Sequence, residues 1–265
     1  MSFAVLSKQS YSKIENWQDF FKRGKHLKNI PFHLSWFILF ENLLADKRFE
    51  KIHAELKKQI MEDKRLRFYP LPSQVFLAFL STPADRVKVV FIGQDPYFQS
   101  ESYNGVPVPQ AMGHCFSVAH GIKIPNSLVN IFKNMVKFKH LKEIPESGNL
   151  WFWAAQGCLM LNSALTVEDD QKEAHINLWE WFTDYAIQYI SNNMEGIVFV
   201  LWGSYAYNKN RLIDAGKHHI IFSTHPSGLS AYTASKRLPA FMSIDHFGQI
   251  NKFLVQENKT PVIWN

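Results

Sequence analysis

The chain has 265 residues, 46% of them apolar and 15% aromatic; that is ample material for a sizeable core and excludes a globally disordered chain. Lys and Arg number 29 and Asp and Glu 23, a formal charge of +6, which permits a polyanionic partner without demonstrating one. Cys115 and Cys158 are the only cysteines, so a disulfide scaffold is excluded and a reducing compartment is expected.

In chain order, residues 1–70 read as helical. Trp17, Phe20 and Phe21, then Phe37, Phe40, Leu43 and Leu44, recur at helical spacing. Between and after them, Glu41, Lys47, Glu50, Lys51, Glu55, Lys57 and Lys58 form a solvated face. The pattern then changes. Short apolar runs at Val87 to Ile92, Cys158 to Leu161, Ile197 to Trp202 and His219 to Phe222 predict strands buried on both faces, hence a parallel sheet. Helical stretches at Ser127 to Lys137, Leu178 to Ser191 and Tyr205 to Asp214 alternate with them, and a last helix is expected from Leu238 to Gln256. The fold class is therefore α/β: a doubly wound, mostly parallel four-stranded sheet flanked by helices, with a helical N-terminal region. No Gly-, Ser- or Pro-rich linker divides the chain, so residues 1–265 are expected to form one domain, with 1–80 as a mainly helical elaboration. Apolar runs such as Trp36 to Phe40 are too short to span a bilayer. No basic start followed by an apolar block marks a signal peptide. A soluble, intracellular protein is expected.

Ligands of open parallel sheets bind beyond the carboxyl ends of the strands. The first predicted strand runs into Gly93-Gln94-Asp95-Pro96-Tyr97 and the second into Asn162-Ser163. The third runs into Gly203-Ser204-Tyr205 and the fourth into Thr224-His225-Pro226-Ser227-Gly228-Leu229-Ser230. All four ends carry polar groups with Gly or Pro turns. They offer an acid (Asp95), an imidazole (His225) and two amides, Gln94 and Asn162, suited to paired hydrogen bonds with a planar ligand. Tyr97 and Phe116 add aromatic faces, so a nucleobase fits the set. Ser127, Ser204 and Ser227 stand at turns or helix starts, where hydroxyls and N–H groups meet phosphate oxygens. Leu229 is an apolar residue in a polar loop, the form of a wedge for a base stack. Each residue also has an ordinary reading: Asp95 as a turn former before Pro96, His225 as a strand-end histidine, Asn162 as a cap, Phe116 as core, Leu229 as a common exposed leucine. Their joint placement after consecutive strands favours the site.

Other chemistries lack their residues. There is no GxGxxG after the first strand, no GxxxxGK[ST], no paired CxxC or HExxH, and no GxSxG elbow for a Ser204–His225–Asp245 triad. No metal site and no cofactor are expected.

At these residues the chain resembles the family 1 uracil-DNA glycosylases of the bacterial-type branch. The GQDPYH loop stands as Gly93-Gln94-Asp95-Pro96-Tyr97-Phe98, the CFSV segment as Cys115 to Val118, the LLLN…LTV segment as Leu159 to Val167, WGS as Trp202-Gly203-Ser204, and HPSPLSA as His225 to Ala231. The segments occur in family order over roughly residues 87–231, and Pro261-Val262-Ile263-Trp264 resembles the branch's C-terminus. The resemblance implies a monofunctional hydrolase that excises uracil from single- and double-stranded DNA and leaves an abasic site for base-excision repair. It implies that Asp95 orients the attacking water and that His225 donates to uracil O2. Asn162 would read the O4 and N3–H edge, Gln94 bind through its backbone, Phe116 stack, and Tyr97 exclude the thymine methyl. Leu229 would fill the place of the flipped nucleotide, and Ser127, Ser204 and Ser227 would clamp phosphates. It further implies a monomer and, as a partner, a proteinaceous uracil-DNA glycosylase inhibitor.

The chain departs from the family pattern in its DNA-gripping shell. Phe98 replaces the loop histidine, Gly228 replaces a proline, and the stretch from Phe98 to Pro109 is longer than the family spacing and reads as a surface loop at the pocket mouth. Residues 1–90 hold 16 basic and 9 acidic side chains and residues 91–265 hold 13 and 14, so the motif-bearing part is nearly neutral. An altered shell on an intact chemical core also admits an alternative, a DNA-binding scaffold that keeps the glycosylase fold. No lysine stands at the strand ends, so a Schiff-base lyase step is not expected.

Overall fold

The structure is a computed structural model that describes residues 15–103 and 106–264; the first fourteen residues of the expected helical extension lie outside it. The chain opens with helices α1 (Trp17–Lys22), α2 (Phe37–Ala45) and α3 (Lys47–Glu62), with two short 3-10 turns between α1 and α2 and the single residue Asp46 between α2 and α3. Asn16 and Asp46 start α1 and α3 by accepting hydrogen bonds from N–H groups of the first turn. The expected charged face is exposed apart from the half-buried Glu55. Next come β1 (Phe68–Tyr69), α4 (Leu77–Ser81), β2 (Val89–Gly93), β3 (Ser100–Tyr103), β4 (Val106–Pro109), α5 (Asn126–Lys137), α6 (Trp151–Ala155), β5 (Cys158–Asn162), β6 (Val167–Glu168), α7 (Ile176–Asn193), β7 (Val198–Trp202), α8 (Ser204–Tyr207), β8 (His219–Ser223) and α9 (His246–Gln256).

The central sheet has the order β5-β2-β7-β8 and every pair in it is parallel. Its side chains alternate between two cores, as a pleated strand requires. Val90, Ile92, Leu159, Leu161, Phe199 and Leu201 meet α1–α4 and α7 on one face. Val89, Phe91, Cys158, Met160, Val198, Val200 and Trp202 meet α5, α6 and α9 on the other. The chain leaves β2 toward β5, then crosses back over β2 to β7, and this reversal creates the crevice where such sheets bind ligands.

Four sequence expectations are corrected. β8 is an edge strand with Phe222 exposed, not a strand buried on both faces. The expected last helix starts only at His246, where Asp245 accepts from Gly248 N; Leu238 to Ile244 makes a 3-10 turn and extended chain around Pro239 instead. The helix expected over Tyr205 to Asp214 is one α turn followed by a 3-10 stretch. The expected loop from Phe98 to Pro109 contains an antiparallel hairpin, β3 with β4, in register from Ser100↔Pro109 to Tyr103↔Val106. Pro107 and Pro109 are tolerated there because β4 pairs on one side only. No helix among the described residues is long and apolar enough to cross a membrane.

Candidate active site

A cavity of about 450 Å³ opens at the carboxyl ends of β2, β5, β7 and β8. Gln94, Asp95, Tyr97, Phe116, Ser127, Asn162, Ser204, His225 and Ser227 all line it. Of the residues singled out in the sequence, Leu229 alone stands outside, 85% exposed on the 3-10 turn just beyond His225.

Asp95 sits in the loop after β2. That loop is tied to the one after β5 by Ser163 N donating to Gly93 O and Ala164 N donating to Gln94 O, at 3.0 and 2.9 Å. The carboxylate Oδ2 accepts from Glu173 N at 3.1 Å. Glu173 has φ of 65°, so a non-glycine residue is held in the left-handed region while its N–H meets Asp95. Burial raises the Asp95 pKa above the ordinary carboxylate value, and the Glu173 N–H and Lys172 oppose the rise.

His225 lies just beyond β8. Its Nδ1 accepts from Ser227 N at 3.1 Å and lies 2.8 Å from Ser227 Oγ. A backbone N–H can only donate, so a neutral ring carries its proton on Nε2. Burial holds the ring pKa down to about 4, with Lys172 adding to the effect, so the ring is neutral at neutral pH. Gly203, at φ of 92°, lets this loop close in: a Cβ there would stand 3.0 Å from His225 Cβ.

Phe116 is the second non-glycine residue of the site in the left-handed region, at φ of 62°. Its ring leans on Trp202 with centroids 5.3 Å apart. Trp202 is fixed in turn by Phe241 and by a bond of 3.3 Å from its Nε1 to His246 Nδ1. Tyr97 lies alongside, its hydroxyl donating to Phe116 O at 3.2 Å and meeting Ser127 Oγ at 3.1 Å. Ser127 is thus nearly buried and engaged with Tyr97, whereas Ser204 and Ser227 are exposed. Asn162, at the end of β5, pairs in register with Gly93 of β2. A Cβ at Gly93 would overlap Asn162 Oδ1 and stand 3.3 Å from its Cγ; glycine here reserves the space for that amide.

The arrangement combines a carboxylate, a neutral N–H donor, an amide edge and an aromatic face around one cavity. Sequence reasoning missed four lining or supporting residues. Trp202 and His246 form the platform beneath Phe116; Trp202 stands out in the sequence only as part of a motif, and His246 carries no local signal. His114, in the segment before Phe116, lines the cavity with Nε2 bonded to Ser81 Oγ at 2.7 Å. Lys172 reaches the cavity from the loop between β6 and α7, so the strand-end loops do lack a lysine but the cavity does not. Its side chain is 59% exposed and ion-paired with Glu173 at 2.9 Å. Among the described residues no group of His, Cys, Asp or Glu is placed to hold a metal.

The family model of the uracil DNA glycosylase superfamily matches residues 80–254. A protein of Acanthamoeba polyphaga mimivirus named a probable uracil-DNA glycosylase is 35% identical over 263 residues, covering 95% of this chain and 70% of its own length. The uracil-DNA glycosylase of Psychromonas ingrahamii is 42% identical over 232 residues, covering 87% of this chain and all of its own. The crystal structure of mimivirus uracil-DNA glycosylase superposes with a TM-score of 0.89 at 35% identity, over 98% of this chain and 97% of that one. Motif order, sheet topology, the cavity and these relatives agree, and the chain belongs to the uracil-DNA glycosylases, hydrolases that cut the N-glycosidic bond of deoxyuridine in DNA.

Proposed function

We propose a division of labour among the cavity residues. Deoxyuridine flipped from the DNA enters with its base between Phe116 and the amide of Asn162. Asn162 donates to O4 and accepts from N3–H, and Gln94 adds a backbone contact. Tyr97, half-buried and held by Phe116 O and Ser127, fills the place of a thymine methyl. As the C1′–N1 bond breaks, its electron pair passes to the base and the sugar gains oxocarbenium character. The Asp95 carboxylate stabilises that positive charge and orients water. The water oxygen bonds to C1′ and its proton passes to Asp95. His225 Nε2–H donates to uracil O2, where the negative charge gathers. Both interactions strengthen chiefly in the transition state, which is what accelerates a reaction.

The observation that carries this reading is the His225 environment. Ser227 N fixes Nδ1 as an acceptor, which turns the one remaining donor to the leaving base. Ser204 and Ser227, exposed at the rim, supply phosphate contacts, and Ser127 acts through Tyr97. Leu229 stands ready to occupy the gap in the stack. The reading extends to a single catalytic unit that works as a monomer in the cytoplasm. The mimivirus relative has been solved in complex with UGI, and the same inhibitor is proposed to bind here, over the cavity mouth.

A panel of single-stranded oligonucleotides carrying one U, C or T tests the assignment. Release of uracil alone is expected. Asn162→Ala should cost about 10² to 10³ in kcat/KM on U, because a buried base edge is left unpaired. Release of C or T at a comparable rate, or an Asn162→Ala variant of full activity, would overturn it.

A further inference from the structure

We propose that Lys172 grips a backbone phosphate flanking the flipped deoxyuridine, a contact that rests on the glycosylase reading and adds a residue to it. Among the described residues lining the cavity Lys172 is the one Lys or Arg; the others that reach the rim, Ser204 and Ser227, are uncharged. It stands near enough to both Asp95 and His225 to act on each electrostatically. Lys172 already pairs with the exposed Glu173 carboxylate at 2.9 Å, and an ammonium has three N–H donors, so it can take a second anion beside that one. The substrate brings two such anions, one on each side of the deoxyuridine.

The loop is built to hold the lysine at this place. Asp170 and Glu173, on either side of it, both take positive φ, 61° and 65°. Asp170 N donates to Phe98 O at 2.7 Å and Glu173 N to Asp95 Oδ2 at 3.1 Å. The loop is thereby stitched at two points to the loop after β2. Its present partner, the Glu173 carboxylate, is itself 46% exposed. An exposed ion pair of this kind is weak, so a phosphate can replace or join it at little cost. Phe98 lines the same cavity and offers no charge. With residues 91–265 holding 13 basic against 14 acidic side chains, one cation at the mouth carries unusual weight.

The test measures binding of the full chain to a single-stranded oligonucleotide with a hydrolysis-resistant deoxyuridine analogue, across salt concentrations. Two further oligonucleotides carry an uncharged methylphosphonate at one or the other flanking phosphate. Lys172→Gln should bind the all-phosphate strand about tenfold more weakly, and the slope of log K against log salt should fall by about 0.7. Lys172→Arg should restore most of the affinity. On one methylphosphonate strand the Gln variant and the unaltered chain should bind alike. Equal loss on all three strands, or an unchanged salt slope, would overturn the proposal. Uracil release from an ordinary deoxyuridine strand by the unaltered chain, run in parallel, separates the two readings: if it proceeds and Lys172→Gln binds normally, only the phosphate grip fails.

Discussion

Gly93→Ala isolates the relation between the sheet and the uracil-reading amide. Gly93 ends β2 in extended backbone and lies opposite Asn162 of β5, so alanine meets no barrier in φ. The added methyl would overlap Asn162 Oδ1 and stand 3.0 Å from Cys115 Cβ. The Cys115 backbone is anchored by its N–H to Met160 O at 3.0 Å, so the amide is the part that gives way. A displacement of about 1 Å at a recognition group costs about 10²-fold, or about 2.7 kcal/mol of transition-state stabilisation. Single-turnover release of uracil from a single-stranded oligonucleotide reads this without the cost of opening a duplex. A urea melt reads the accompanying overpacking, which should be about 1–3 kcal/mol. In an Asn162→Ala background the same methyl has no amide to displace. The double variant should therefore be about as slow as Asn162→Ala alone. Activity of Gly93→Ala within about threefold of the unaltered chain, or fully additive losses, would refute the reasoning.

Leu229→Ala should lose more activity on duplex than on single-stranded DNA, since only the duplex must offset lost pairing and stacking; comparison of kcat/KM on matched substrates checks it, and equal losses would assign Leu229 to packing. The pH profile of kcat/KM should show no limb at about 6.5, the ordinary value for a histidine, because His225 sits at about 4. The acid limb should instead lie above the usual carboxylate value, owing to the burial of Asp95: activity is kept while Asp95 is ionised and lost as pH falls through its raised pKa. A limb at the ordinary histidine value that vanishes in a His225 variant would contradict the neutral ring.

Much of this architecture was legible because β2, β5 and β7 lie inside the sheet or under its helices with both faces covered, which writes uninterrupted apolar runs into the chain. β8 has a similar run but lies at the edge with one face partly open, and periodicity alone could not tell the two situations apart. The apolar spacing continues through Phe241 and so points to an earlier start for α9, while the boundary is set by Pro239 and by the cap at Asp245. The hairpin after Phe98 did carry a signal, Asn104-Gly105 between two short runs, the pair favoured in tight two-residue turns. The short strands β1 and β6 hold two residues each, too few to set a period. Of the site, the residues at strand ends were legible because topology brings all four ends together. Lys172 was not, since its place depends on two positive-φ residues in a loop with no strand register to predict it. His246 was not, because it acts from a distant helix through Trp202.

The most direct test of the central claim is the release of free uracil from a deoxyuridine oligonucleotide by the unaltered chain and by Asp95→Asn, each with alkaline cleavage of the resulting abasic sites. The unaltered chain should release uracil and leave alkali-labile strands without cutting them itself. Asp95→Asn should be slower by about 10² to 10⁴, the usual range for a positioned acid–base group. DNA binding without release by the unaltered chain, or unimpaired release by Asp95→Asn, would contradict the account.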